Sequence, residues 1–126
     1  MNKIIFIKDI KSYSPKNAFI ARLTQEILTE DDLFNELNKQ LFFPDYFGFN
    51  WNALSDCLND FRWIEQEEII LIHYQNLLLD DLIMNIYLEV LLDAIEKWEE
   101  RKDHYFEVVF PMDLEVKINH YLENIL

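Results

Sequence analysis

Along these 126 residues, short apolar runs of strand length alternate with longer stretches whose apolar residues recur every three or four positions. That alternation constrains the fold more than any other feature. Strands separated by helices pair most readily into a parallel or mixed sheet covered by those helices. Strand character falls at residues 3–8, 19–23, 68–73 and 105–110. The runs 69–72 and 106–110 are largely apolar rather than alternating, as a sheet covered on both faces requires.

Between them, Thr29 can cap a helix starting at Glu30, with Leu33, Phe34, Leu37 and Leu41 as its apolar stripe. Asn50 can cap a second helix from Trp51 to about Asp60. A long helix over 82–101 carries apolar residues at 83, 86, 87, 90, 91, 94, 95 and 98. The tail from Asp113 repeats the pattern through Leu114, Ile118, Tyr121, Leu122 and Ile125. The pattern predicts a small α/β fold.

Composition limits what such a domain can do. The chain is 51% hydrophobic and 15% aromatic, enough for a sizeable core, and nothing in it marks a linker, so residues 1–126 are expected to form one domain. Gly48 is the single glycine, which removes glycine-rich phosphate loops and the nucleotide enzymes built on them. Cys57 is the single cysteine, so no intrachain disulfide can form and a reducing compartment is expected. The start offers only four apolar residues between lysines, too few for a secretory signal, and the run 69–72 is far too short to span a bilayer. The expectation is a soluble cytoplasmic protein without cofactor.

Twenty-four acidic residues against eleven basic ones give a formal charge of −13. Such a balance disfavours nucleic-acid backbones and anionic membranes, and favours a basic partner. The charge is uneven. Residues 1–22 hold five basic and one acidic residue, whereas residues 24–68 hold eleven acidic and two basic, a local charge of −9.

Within that acidic stretch lies Phe43-Pro-Asp-Tyr-Phe-Gly-Phe-Asn-Trp-Asn-Ala-Leu-Ser-Asp-Cys-Leu58. Pro44 stiffens the loop, and Gly48 can take a left-handed conformation where the chain turns into the helix. Ala53, Leu54, Cys57 and Leu58 share one helix face; Asn52, Ser55, Asp56 and Asn59 share the other. A short polar face with one carboxylate beside Tyr46, Phe47 and Phe49 suits recognition of a cationic site. On pattern alone an ordinary amphipathic helix after an aromatic-rich packing loop is the favoured reading.

This segment resembles the barstar family, bacterial intracellular inhibitors of secreted ribonucleases. The frame Pro44, Tyr46, Gly48, Asn50, Ala53-Leu54 and Asp56-Cys57-Leu58 matches without a gap. Similarity runs more weakly over about 19–110, leaving 1–17 and 111–126 as additions. The resemblance implies a three-stranded parallel sheet with packed helices, to which the additions would supply an extra N-terminal strand and a C-terminal helix. It also implies an immunity protein that is not an enzyme and, as a free monomer, blocks a basic toxin domain, foremost a ribonuclease. Carried over by position, the contact residues are Tyr46, Asn52, Ser55, Asp56, Asn59 and Phe61, with Asp56 at the phosphate subsite. Asn52, Ser55 and Phe61 stand where the family prototype has aspartate, tryptophan and tryptophan, and Lys97 falls near a further glutamate. A toxin other than a ribonuclease therefore stays open, as does its delivery, whether free, contact-dependent or by a secretion system.

Two other classes compete. Cys57 with His73, His104 or His120 could form a nucleophile–base pair, but Cys57 lies on the apolar face, and His73 and His104 read as strand-edge residues. Asp80-Asp81 with His104 or His120 could bind metal, though acid pairs at helix starts are commonly caps. The apolar tail could instead serve a homo-oligomeric or regulatory interaction module.

Overall fold

The computed structural model describes residues 4–125. Four strands, β1 (Ile4–Ile7), β2 (Phe19–Leu23), β3 (Glu68–His73) and β4 (Tyr105–Pro111), form one sheet in the order β1-β4-β3-β2. Every pairing is parallel, with Ile4 opposite Val108, Ile20 opposite Ile70 and Leu71 opposite Val108. Three strands therefore come from the region that resembles barstar, and β1 adds a fourth beside β4. Position 3, expected to open β1, lies outside the described residues. Pro111 continues β4 to pair with Ile7 instead of stopping at Phe110.

The helices are α1 (Glu30–Leu41), α2 (Trp51–Leu58), α3 (Asp81–Arg101) and α4 (Glu115–Ile125). The starts of α1, α2 and α3 are fixed by side-chain oxygens that satisfy early backbone N–H groups, while α4 continues from a 3-10 turn at Met112–Leu114. Thr29 Oγ1 accepts from Asp32 N at 3.1 Å while Asp32 Oδ2 accepts from Thr29 N at 3.2 Å, a reciprocal cap. Asn50 Oδ1 accepts from Ala53 N at 2.8 Å, and Asp80 Oδ1 accepts from Ile83 N at 3.0 Å. Asp80 is thus a cap; among the described residues no group of three or more His, Cys, Asp or Glu could hold a metal ion. Nor is any described helix long and apolar enough to cross a membrane.

All four helices pack against one face of the sheet, where Ile69, Leu71, Val108 and Phe110 meet Leu33, Leu37, Leu54, Leu58, Leu88 and Leu91. The apolar face of α3 is rotated from the expected one. Met84, Tyr87, Leu88, Leu91, Ala94, Ile95 and Trp98 are buried, while residues 83, 86 and 90 are only half-buried. Apolar residues ring the first half of this helix, so contact with its neighbours, rather than periodicity, selects which of them go inside. α4 closes the same core through Ile118, Tyr121 and Leu122, and Tyr121 Oη donates to Asp81 Oδ1 at 2.5 Å.

Among the described residues no α-helix covers the opposite face, only a short 3-10 turn at Ile10–Ser12. Ile70, Ile72 and Val109 are instead covered by residues 8–18, whose Ile10 is buried and whose Tyr13 packs beside it. Two charged strand residues hold this strap. Arg22 donates to the carbonyls of Ile10 at 2.9 Å and Tyr13 at 2.5 Å, and Tyr13 Oη donates to Glu107 Oε1 at 2.5 Å. Arg22, counted above in the basic amino-terminal segment, is therefore committed to structure.

His73 is not at an edge. It is fully buried on the central strand β3, with Nδ1 3.0 Å from Val109 O, Nε2 2.6 Å from Tyr87 Oη, and its ring stacked on Phe110. Burial pushes its pKa down from 6.5 to about 4, so the ring is neutral at neutral pH. The unfolded chain binds the proton below pH 6.5 and the folded one only below about 4. Stability should therefore fall as pH drops through that window, by about 3 kcal/mol from this group alone. Melting temperatures of wild type and His73→Phe test this. The variant should be less stable at pH 7, because it leaves the Tyr87 hydroxyl without its partner, but should lose less between pH 6.5 and 4.

Candidate partner-binding surface

The loop 42–50 and α2 form one rigid unit because three tryptophan indoles tie it to the rest of the fold. Trp51 Nε1 donates to Glu30 Oε2 at 2.5 Å, joining the starts of α2 and α1. Trp63 Nε1 donates to Leu41 O at 2.9 Å, joining the chain after α2 to the end of α1. Trp98 Nε1 donates to Leu58 O at 2.7 Å, pinning the last turn of α2 onto α3. An indole taken out of water needs such a partner; Trp98 is buried and Trp51 and Trp63 are half-buried, and each ties two segments together as it gains its bond.

Inside the loop, Phe43 and Phe47 are buried, with ring centroids 4.8 Å apart, and Phe47 also meets Phe34. Gly48 does not take the left-handed conformation expected of it; no described glycine has positive φ. Phe49 does so instead, at φ 55°, as Phe42 does at 53° and Phe61 at 48°. A left-handed phenylalanine costs about 1–2 kcal/mol, so packing must hold it there. Phe49 rests on Phe47 at 4.8 Å, and Phe42 meets Phe19 at 6.0 Å. What Gly48 provides is room: a Cβ there would lie 3.3 Å from Asn50 Nδ2, a movable side-chain atom.

Of the expected contact residues, the structure brings five to one surface. Asn52 and Asp56 are exposed, Ser55 and Asn59 are half-buried, and Tyr46 is 51% exposed beside them. Asn59 Nδ2 donates to Ser55 O at 2.7 Å. Phe61 does not belong to this surface. Its side chain is fully buried, stacked on Trp98 at 5.8 Å and edge-on to Phe106 at 5.3 Å. The left-handed backbone at Phe61 turns its ring inward, making it the anchor beneath the surface.

The two nearby carboxylates differ in state. Asp60 accepts from Tyr46 Oη at 2.5 Å and from Arg62 Nε at 2.7 Å. Partial burial works against its charge, but those hydrogen bonds and the Arg62 guanidinium overcome it and hold its pKa below the ordinary value. Tyr46 is correspondingly raised, first by burial and then by its bond to Asp60. Asp56 has no hydrogen-bond or ion-pair partner among the described residues. A charge-matched contact is thus left open at the centre of the face. Sequence reasoning missed Asp60 and Arg62, because their pairing with Tyr46 spans the loop and the far end of the helix.

Cys57 faces the core, fully buried, and burial pushes its thiol up to about 11, so it is protonated at neutral pH. It is packing, not a nucleophile. A cavity of about 380 Å³ lies at the end of α3, lined by Glu67, Trp98, His104 and Tyr105 among others and by no residue of the loop or α2.

The fold is thus a parallel sheet with α-helices on one face and, packed on it, a loop–helix unit that carries an exposed carboxylate. The family model for barstar, described as barnase inhibitor, matches residues 18–111, and the chain belongs to that family. It is a family of inhibitors, not of enzymes. Among curated proteins no sequence matches the chain.

The division between anchor and surface is measurable. Phe61→Ala should destabilise the fold by about 3–5 kcal/mol, the cost of emptying a large aromatic site in a core. Asp56→Ala should change stability by no more than about 0.5 kcal/mol, since its side chain is exposed. Chemical denaturation of both variants reads the contrast directly.

Proposed function

We propose that this chain is a cytoplasmic immunity protein that binds a basic bacterial toxin, a ribonuclease, one to one and blocks its active site with the loop and α2. Tyr46, Asn52, Ser55, Asp56 and Asn59 form the contact face, with Asp56 at its centre. The observation that carries the reading is the open Asp56 carboxylate on a face otherwise built from short polar side chains and held rigid from behind.

The chemistry follows from what a ribonuclease site must hold. Cations that bind RNA phosphates attract a fixed carboxylate equally well, and a folded chain offers no phosphodiester to cleave. Because the indole ties and Phe61 order the face before binding, little conformational freedom is lost on association. The charge of −9 over residues 24–68 would steer a basic toxin toward this side, an effect that weakens as salt shortens its reach to about 8 Å at physiological ionic strength. A toxin delivered by contact or by a secretion system fits this surface as well as a freely secreted one. The alternative of assembly through the tail is disfavoured by α4, whose apolar residues Ile118, Tyr121 and Leu122 are buried in the chain's own core.

Co-expression with a basic ribonuclease toxin, sought first in the neighbouring reading frames, tests the proposal. Asp56→Ala should lose protection at limiting expression and weaken the purified complex by about 2–5 kcal/mol, the range for truncating one partner of a buried charge pair, barnase–barstar among the systems that define it. Protection equal to wild type would refute the role given to Asp56.

A further inference from the structure

Beside the acidic face stands a fixed cation. Arg101, in the last turn of α3, holds its guanidinium 4.1 Å from the centre of the Trp98 ring, and its Nη1 donates to Asn59 O at 2.5 Å. That carbonyl belongs to the residue that ends α2, and the side chain of the same Asn59 donates separately through Nδ2 to Ser55 O at 2.7 Å, so Arg101 is fixed directly beside the proposed contact face. The side chain remains 46% exposed. A guanidinium carries five N–H donors, and only Asn59 takes one at hydrogen-bond distance; the Asp103 carboxylate lies 3.8 Å from Nη2, an ion pair without a hydrogen bond.

Among the described cations near this rim, Arg101 is the one held on the end of α2 itself; its ion pair with Asp103 is the longest of those here, and the exposed Lys102 follows it at the end of α3. Lys97, one turn earlier on α3, is ion-paired with Asp93 at 3.0 Å. Arg62 is paired with Asp60 at 2.7 Å. Glu96 and Glu100 are exposed on α3 but lie about 100° round the helix from Lys97 and Arg101. The contact region is therefore dipolar, a carboxylate at Asp56 with a guanidinium at the end of α2.

We propose that Arg101 is a specificity-determining residue of the contact surface. It selects a partner that places a carboxylate opposite the end of α2, and it disfavours ribonucleases whose phosphate-holding surface is cationic throughout. The inference rests on the function proposed above. Its physical basis is that a like charge facing a fixed cation across an interface is penalised, whereas a carboxylate can take two parallel hydrogen bonds from a guanidinium. Affinity for the wrong partner is thereby lowered without any change in the wedge itself.

Catalytically silenced barnase serves as the probe, a basic ribonuclease against which the sign of the effect can be read. Arg101→Glu in the full chain should bind it at least about tenfold tighter than wild type at low ionic strength, mostly through faster association, with the advantage shrinking as salt rises. Arg101→Gln, which can keep a donor to Asn59 without the charge, should fall between them. Equal or weaker binding by Arg101→Glu, at a melting temperature near that of wild type, would overturn the inference. If Arg101→Glu melts early, Arg101→Gln and Arg101→Ala carry the test, and no gain in either overturns it as well. Adding Asp56→Ala to Arg101→Glu should remove the gain. A gain that survives that change would refute α2 as the binding face while leaving the effect of Arg101 standing, so the two failures are distinguishable.

Discussion

The hydrogen bond from the Trp98 indole to the Leu58 carbonyl is the contact on which the recognition surface depends. It ends α2 at a fixed place on α3, and the Trp98 ring then serves both neighbours of that bond. Phe61 stacks beneath it from the core, and the Arg101 guanidinium covers it at the surface. α2 is only eight residues long and would not persist as an isolated helix. Its order comes from tertiary contact: a cap at Asn50, a tie at Trp51, buried Leu54, Cys57 and Leu58, and the Trp98 bond at its end.

The sheet supplies the base for this arrangement, and its two faces solve the burial problem differently. One face takes all four helices. The other is covered by a strap with a single 3-10 turn, which is stable there because its backbone carbonyls have a dedicated donor in Arg22 and its tyrosine a dedicated acceptor in Glu107. A charged pair of strand residues does on this side what helix packing does on the other. Parallel strands with apolar residues on both faces require such a cover. The residues preceding the barstar match thus complete the same core-bearing sheet, through β1 at its edge and the strap across its back.

Charge is organised just as unequally. Asp60 is neutralised within the fold by Tyr46 and Arg62, so its contribution is structural, whereas Asp56 remains open. Aromatic residues in left-handed conformations flank this region at Phe42, Phe49 and Phe61. Each is a local cost held by ring packing, and together they shape the turns that enter and leave the wedge. Backbone strain placed around a binding loop is what a preorganised surface needs, since flexible turns would have to be ordered again at each encounter.

Much of this was legible in the residues themselves. Strand length and apolar continuity gave β2 and β3, capping chemistry gave the starts at Thr29 and Asn50, and spacing separated the polar face of α2 from Leu54, Cys57 and Leu58. These are local properties, set by periods of two and 3.6 and by side chains reaching three residues along the chain. Where the outcome depends on what lies opposite in space, sequence periodicity had no purchase. Phe61, expected at the surface, is buried in the core, and Phe49 has the left-handed backbone expected of Gly48. His73, which does end β3, is fully buried there instead of lying at an edge, and α3 buried Met84 and Leu88 in preference to Ile83 and Ile86. The pairing of Asp60 with Tyr46 and of Arg101 with Asn59 joins residues 14 and 42 positions apart. Sequence alone determined which segments could be helix, strand or wedge; the tertiary structure decided which carboxylate stayed free and which cation stood beside it, because charge neutralisation acts across space between groups that the chain order keeps apart.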